Sequence, residues 1–343
     1  MMGRSHPVHA WLLITSLRLA PILFELPRKI QWRPEQLDRY VRPSAPDVVP
    51  PGDVAGNYTF EEAVYSDGMQ TVQNLHSVID KLQGDGVFSM EKWEPDEKRL
   101  MRYAAFLAPI AGLQYEGKKG KASSVVIYLL GDRLKLPKRD AERVDLILSV
   151  ALEYQRLVGD WGEGGVPPPP KTHAGAPSAA AQQQEGADEA DGTTHEGSSA
   201  SQRYRRVDLG LILRKAGHLW NASLMVAMAG AIGRVTPSSP SHTQPTTPPL
   251  SGPPPAVPLH SSKHVISSYR AVKEAVEWFG LDGVWDKGPP LDGNAVKSVL
   301  PKLPKGPKFK EVMDEQVVWM LGHPEGTADE CRAFIKERFA DFA

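Results

Sequence analysis

The sequence predicts an all-α fold, and three observations predict it. Apolar residues recur at three- and four-residue spacing through several stretches, the signature of helices with one buried face. Those stretches open and close on helix signals, with Pro in a first turn, a Thr/Glu capping box and Gly after a last turn. The 31 Pro and 30 Gly cluster instead of scattering, which marks linkers between packed parts and not a uniformly loop-rich chain. Two or three helical parts separated by two low-complexity insertions are expected over the 343 residues.

In chain order, residues 7–26 are apolar and expected to be buried. Residues 27–60 are rich in Pro and charge and read as a connecting segment. Met69, Val72, Leu75, Val78, Ile79 and Leu82 make an amphipathic helix. Pro95 begins another, with Leu100, Met101, Ala104, Phe106 and Leu107 on its apolar face and Pro109 and Gly112 at its end. Tyr115 to Lys121 is a glycine-bearing basic loop. Val125 to Leu130 is an apolar run that periodicity leaves open between a strand and a buried helix. Asp140 to Leu157 is a helix. Residues 162–202 hold four consecutive prolines, an Ala/Gln run and a Gly/Ser/acidic mixture, which cannot bury a core and read as disordered. Arg203 to Ile232 is one long helix, apolar nearly all round in its second half. Residues 236–262 are a second Pro/Ser/Thr linker. Val265 to Phe279 is helical and ends at Gly280, a favourable residue just past a helix.

Bulk properties narrow the function. A net charge of −1 and a pI near 6.8 leave no overall basic field, so nucleic-acid binding has to come from local patches. The single cysteine, Cys331, excludes an intrachain disulfide and a cysteine zinc cluster. The apolar run at 11–24 is interrupted by Arg18 and Pro21 and is too short to span a membrane. The histidines, His218 and His323 among them, are scattered without a metal-ligand or triad spacing.

Residues 281–330 are the most specific stretch. Gly288-Pro289-Pro290 is a stop, Leu291-Asp292-Gly293 a turn, and Asn294 to Leu300 one or two helical turns. Lys305-Gly306-Pro307 opens a longer helix carrying Val312, Gln316, Trp319 and Met320. Thr327-Ala328-Asp329-Glu330 is a capping box before the last helix, which carries Cys331, Phe334, Ile335 and Phe339. Lys302, Lys305, Lys308 and Lys310 crowd the start of the longer helix. Unpaired N–H groups and partial positive charge at a helix N-terminus favour phosphate, and lysines beside it add to the attraction. On spacing alone the same lysines read as a solvated basic face.

The stretch from Leu281 to Glu330 resembles the C-terminal region of eukaryotic, plant-type CCA-adding enzymes, the tRNA nucleotidyltransferases. The shared residues are Val284-Trp285, Pro290-Leu291 with Gly293, Gly306-Pro307, Trp319 before Pro324, and Gly326-Thr327 with Glu330. A second block is similar to the middle of such enzymes: Arg102-Tyr103-Ala104 with Leu107 and Pro109, Tyr115 with Lys118-Lys119 and Lys121, Tyr128, Asp132, Leu134-Lys135 and Asp140-Ala141. Gly131 stands where relatives carry Arg. The resemblance implies an all-α protein built from body and tail domains. Residues 1–60 would be a remnant of the neck and its connection, 61–161 with the helix 203–235 the body, and 263–343 the tail. It implies tRNA as partner, gripped along the backbone of the acceptor stem and T arm, with Lys118, Lys119, Lys121, Lys305, Lys308 and Lys310 as RNA-binding residues. Cytoplasm, mitochondrion, plastid and nucleus are all compatible with it.

The family's catalytic head, with a Gly-Ser loop and an Asp-x-Asp pair holding two metal ions, has no counterpart here. The one close carboxylate cluster, Asp188, Glu189 and Asp191, lies in the low-complexity tract. No catalytic or metal-binding residue is therefore assigned. Mg2+ and CTP or ATP would belong to the missing head, and the chain alone is expected to be inactive. A head encoded elsewhere would restore activity. The alternative is a helical scaffold or a non-functional fragment from a truncated reading frame.

Overall fold

The computed structural model describes residues 7–27, 29–33, 60–82, 93–117, 120–161, 195–232 and 259–343. In chain order the elements are α1 (Pro7–Ser16), α2 (Ala20–Leu23), β1 (Ile30–Gln31), α3 (Phe60–Leu82), α4 (Pro95–Leu107), β2 (Gln114–Glu116), β3 (Ala122–Ser124), α5 (Val125–Ile127), α6 (Lys138–Trp161), α7 (His195–Ala216), α8 (Trp220–Ile232), α9 (Leu259–Trp278), α10 (Gly293–Val299), α11 (Pro307–Gly322) and α12 (Ala328–Arg338). The predominantly helical class expected from the sequence holds. The chain divides into two compact units, Met1–Gly162 with His218–Val272, and Glu163–Gly217 with Lys273–Ala343.

The first unit is built around α8. Ten of its thirteen residues are buried, as its all-round apolar sequence requires, and α3, α4 and α6 pack against it. Two side-chain amides reach its carbonyls: Asn74 Nδ2 donates to Ala229 O (3.2 Å) and Gln155 Nε2 to Ala227 O (3.3 Å). On α3, Val64, Met69, Val72, Leu75, Val78 and Leu82 form the buried stripe. That helix starts at Phe60 and not at Met69, because Val64 and Tyr65 continue the stripe one period further back. Gly68 lets α3 and α4 approach closely: a Cβ there would lie 2.1 Å from the Phe106 carbonyl oxygen.

Residues 7–26 differ from the expectation that they are buried. Left-handed Arg18 (φ 53°) separates α1 from α2, and among residues 9–26 only Trp11, Ala20 and Phe24 are buried. Trp11 stacks on Phe106 (centroids 4.2 Å) and Phe24, and Tyr65 stacks on Phe106 (5.6 Å), forming an aromatic cluster. Leu12, Leu13, Leu17, Leu19, Ile22 and Leu23 remain exposed. An apolar segment with one inward stripe leaves its other faces outside when no further layer covers them.

Of the basic loop expected at 115–121, Tyr115 and Glu116 belong to β2, and Gly117, Gly120 and Lys121 lie between β2 and β3. The strands β1, β2 and β3 form a small antiparallel sheet in that order, with Tyr115 opposite Ser123. Strands of two or three residues are too short to show an alternating pattern, so a reading by periodicity does not find them. The open run at 125–130 resolves as helix: Ser124 caps α5, which continues as a π-helical turn, Tyr128–Arg133.

The expected single helix 203–232 is two. Left-handed Gly217 (φ 57°) begins a 3-10 turn, Gly217–Leu219, that separates α7 from α8. Helix also reaches into both expected linkers, since α7 begins at His195 and α9 at Leu259. Extending a formed helix by a turn costs little once a packed segment has nucleated it. The rest of those linkers, 162–194 and 236–258, and with them Asp188, Glu189 and Asp191, lies outside the described residues.

In the second unit, α10, α11 and α12 enclose a core of Leu291, Val296, Leu300, Val312, Trp319, Cys331, Ile335 and Phe339. Cys331 is fully buried, and desolvation pushes its thiol pKa up to about 11. Gly280 (φ 60°) terminates α9: Leu281 N–H bonds Val276 O (2.9 Å) and Gly280 N–H bonds Glu277 O (3.1 Å), a Schellman arrangement. Asp292 caps α10 through Asn294 and Ala295 N–H. On α7, Arg206 donates to Leu321 O (2.7 Å) and Phe279 O (2.8 Å), and Arg214 to Val284 O (2.7 Å) and Lys287 O (2.6 Å).

Gln316 sits at a core position of α11 yet is polar. Its Oε1 accepts from Leu291 N–H (3.0 Å), supplying the partner that this buried amide otherwise lacks. Gln316→Leu should therefore destabilise the second unit by about 1–3 kcal/mol despite being more apolar, read as a lower denaturant midpoint.

Candidate nucleic-acid interface

Of the expected RNA-binding lysines, Lys121 lies in the first unit and Lys305, Lys308 and Lys310 lie in the second. In the first unit Gly117 N–H donates to Lys121 O (2.8 Å), and Gly120 is in the left-handed region (φ 71°). Lys121 is exposed, and Lys118 and Lys119 lie outside the described residues. Glu116 is paired with Lys29 (2.9 Å).

In the second unit Lys305, Lys308 and Lys310 gather at the start of α11. Gly306 (φ 110°) turns the chain into the helix and Pro307 takes the first helical position, where no N–H is needed. The N-cap contributes no side-chain acceptor, so the first-turn amides keep their donors for an outside ligand. Lys305 and Lys310 are exposed and make no ion pair among the described residues. Lys308 differs: its ammonium pairs with Glu311 (2.8 Å) and lies over the Phe339 ring (5.8 Å), so part of its charge is already compensated. The i,i+3 spacing of Lys308 and Glu311 shows this in the sequence. Lys297 is not among the expected residues, yet it is exposed on α10, 6.0 Å from the Phe309 ring centre. From Lys297 to Lys310 the chain carries five lysines and no acidic residue, which gives a locally basic surface on a near-neutral chain.

At the other end of α11 lies a cleft of about 510 Å³ walled by Trp319 and His323, with Arg203, Glu325 and Glu330 at its edge. Thr327 and Glu330 form the expected capping box at the start of α12. Thr327 N–H and Oγ1 both donate to Glu330 Oε2 (2.8 and 3.0 Å), and these bonds hold the Glu330 carboxyl below its usual pKa. A depressed carboxylate stabilises the fold above its unfolded pKa and loses that contribution as pH falls through the folded value. Thr327→Ala should cost about 1 kcal/mol at neutral pH, and the loss should shrink in acid as Glu330 protonates, measured by denaturant unfolding at both pH values.

Among the described residues no group of three or more His, Cys, Asp or Glu stands close enough to hold a metal ion. No described helix is long and apolar enough to cross a membrane.

These features define a predominantly helical protein with a locally basic helix start at Pro307. Its sequence is similar over 79 residues, at 30% identity, to tRNA nucleotidyltransferase cca2 of Schizosaccharomyces pombe. The similarity spans 23% of this chain and 16% of that relative. No family model matches the sequence, and no solved structure matches it significantly.

Proposed function

We propose that this chain acts in tRNA 3′-end processing as the tRNA-binding body and tail of a CCA-adding nucleotidyltransferase. The observation that carries the proposal is the uncapped start of α11 set among Lys297, Lys302, Lys305, Lys308 and Lys310, together with local similarity to a tRNA nucleotidyltransferase. Such a site binds the phosphates of an A-form stem, where shape and backbone, not base sequence, are recognised. Lys118, Lys119 and Lys121 would add a second backbone grip. Nucleotidyl transfer, with its Mg2+ and CTP or ATP, would be supplied by a catalytic head whose motifs are absent from this sequence.

The test is tRNA binding across a salt series. The double variant Lys305→Glu/Lys310→Glu should bind at least ~10-fold more weakly near 50 mM salt, and the slope of log K against log salt should flatten by roughly one for each phosphate no longer neutralised. Both lysines are exposed, so the fold should be unaffected. A parent chain that does not hold tRNA at low salt, or a variant that binds as the parent does, overturns the proposal.

A further inference from the structure

The cleft lies at the C-terminal end of α11, away from the lysines at that helix's start, and its construction points to a different ligand chemistry. The His323 imidazole stacks on the Trp319 indole (centroids 4.7 Å, planes 19° apart), with Phe334 on the Trp319 side at 6.2 Å. The slab is fixed. His323 Nδ1 donates to Trp319 O (2.8 Å), and the turn at Gly326 approaches so closely that a Cβ there would lie 2.5 Å from Trp319 Cη2. Trp319 is only 8% exposed, whereas His323 is half-buried, so the imidazole is the ring open to a ligand. Exposed Arg203 and Glu325 stand at the rim with opposite charges. A volume of about 510 Å³ accommodates a nucleotide-sized ligand.

We propose that this cleft takes one unpaired, amino-bearing nucleobase of an RNA strand. The base stacks on His323, Arg203 contacts its phosphate or ring face, and the Glu325 carboxylate accepts from its exocyclic amine. An imidazole backed by an indole offers a sequence-tolerant stacking platform, and a guanidinium plane beside it adds a second. A carboxylate rejects no base outright but favours adenine and cytosine over uracil, which has no amino group. The inference rests on the tRNA-binding reading and adds to it the recognition of a base.

The experiment uses the full chain with fluorescently labelled A, C and U hexanucleotides and fluorescently labelled AMP, read by anisotropy. The parent should bind the A and C hexamers more tightly than the U hexamer. His323→Ala and Arg203→Ala should each weaken A-hexamer binding about 10-fold, in the range alanine substitution at stacking contacts produces. Glu325→Gln should reduce the preference over U. Arg203 is exposed, so that variant keeps the test valid even where His323→Ala disturbs the tail. Unchanged hexamer binding in both variants overturns the inference, as does a parent that binds none of the hexamers. Binding of fluorescently labelled AMP by a parent that holds none of the hexamers overturns the RNA-strand form and assigns the cleft to a free nucleotide. The two readings separate cleanly. Lysine-dependent tRNA binding with indifferent His323 and Arg203 variants sinks this inference alone, whereas failure of the parent to bind tRNA at all sinks both.

Discussion

Gly68→Ala is expected to destabilise the first unit by about 1–2 kcal/mol, although alanine is the better helix former. The added methyl would meet the Phe106 carbonyl oxygen at 2.1 Å and its carbon at 3.1 Å. Those are backbone atoms of α4, so no rotamer change relieves the clash, and the two helices have to move apart. Overpacking of this kind typically costs about 1–3 kcal/mol. Against it stands a propensity gain of roughly 0.5–1 kcal/mol. The Trp11, Phe24, Tyr65 and Phe106 cluster lies at the same crossing and would loosen with it. Gly159→Ala supplies the control. Gly159 is exposed on α6, and a Cβ there meets nothing within 4 Å, so only the propensity gain acts. Thermal unfolding should show the two substitutions moving stability in opposite directions. A neutral or stabilising Gly68→Ala would mean that the α3–α4 crossing is looser than described.

The second large effect is expected at Arg206. Its guanidinium bonds Leu321 O at the end of α11 and Phe279 O at the end of α9, both among the carbonyls a helix leaves unpaired in its last turn. A cation there also meets the negative end of each helix dipole. Half-burial lowers the Arg206 pKa through desolvation, an unfavourable contribution that the bonds offset. Arg206→Ala should destabilise the second unit by about 2–4 kcal/mol, since hydrogen bonds to charged groups contribute roughly 1.5–3 kcal/mol each and solvent screens part of that here. Arg206→Lys should recover only part of the loss, because an ammonium lacks the planar fork that reaches both carbonyls. Chemical denaturation of the three proteins tests this. Equal stability of the Lys variant and the parent would show that the fork geometry is unimportant.

Much of the helical architecture was legible because the signals were local. The stripes on α3, α4 and α6, the Thr327–Glu330 box and the Gly280 terminus each lie within one or two helical turns. Interactions made across the chain were not legible. Arg206 reaches Leu321 over 115 residues, and in sequence it is only a basic residue at the edge of a low-complexity tract. Gln316 could be placed on the inward face by its period, but nothing in the sequence names Leu291 as its partner. The interruption at Gly217 was hidden because α7 and α8 carry apolar residues on both sides of it. At the candidate site the lysines around Gly306 were legible as a charge run, while the compensation of Lys308 by Phe339 required the fold. The cleft at His323 and Arg203 joins residues from α7 and from the end of α11, so no single window of sequence contains it.

The buried cysteine makes the second unit its own timekeeper. Cys331 is the single thiol in the chain, fully enclosed and with its pKa raised to about 11. A thiol reagent reacts with the thiolate, which is both shielded and scarce while α12 stays packed. Labelling therefore proceeds only as fast as that unit opens, and the first unit contributes no background. The rate of a single covalent event reads the local opening equilibrium of one half of the molecule, without a probe having to be introduced.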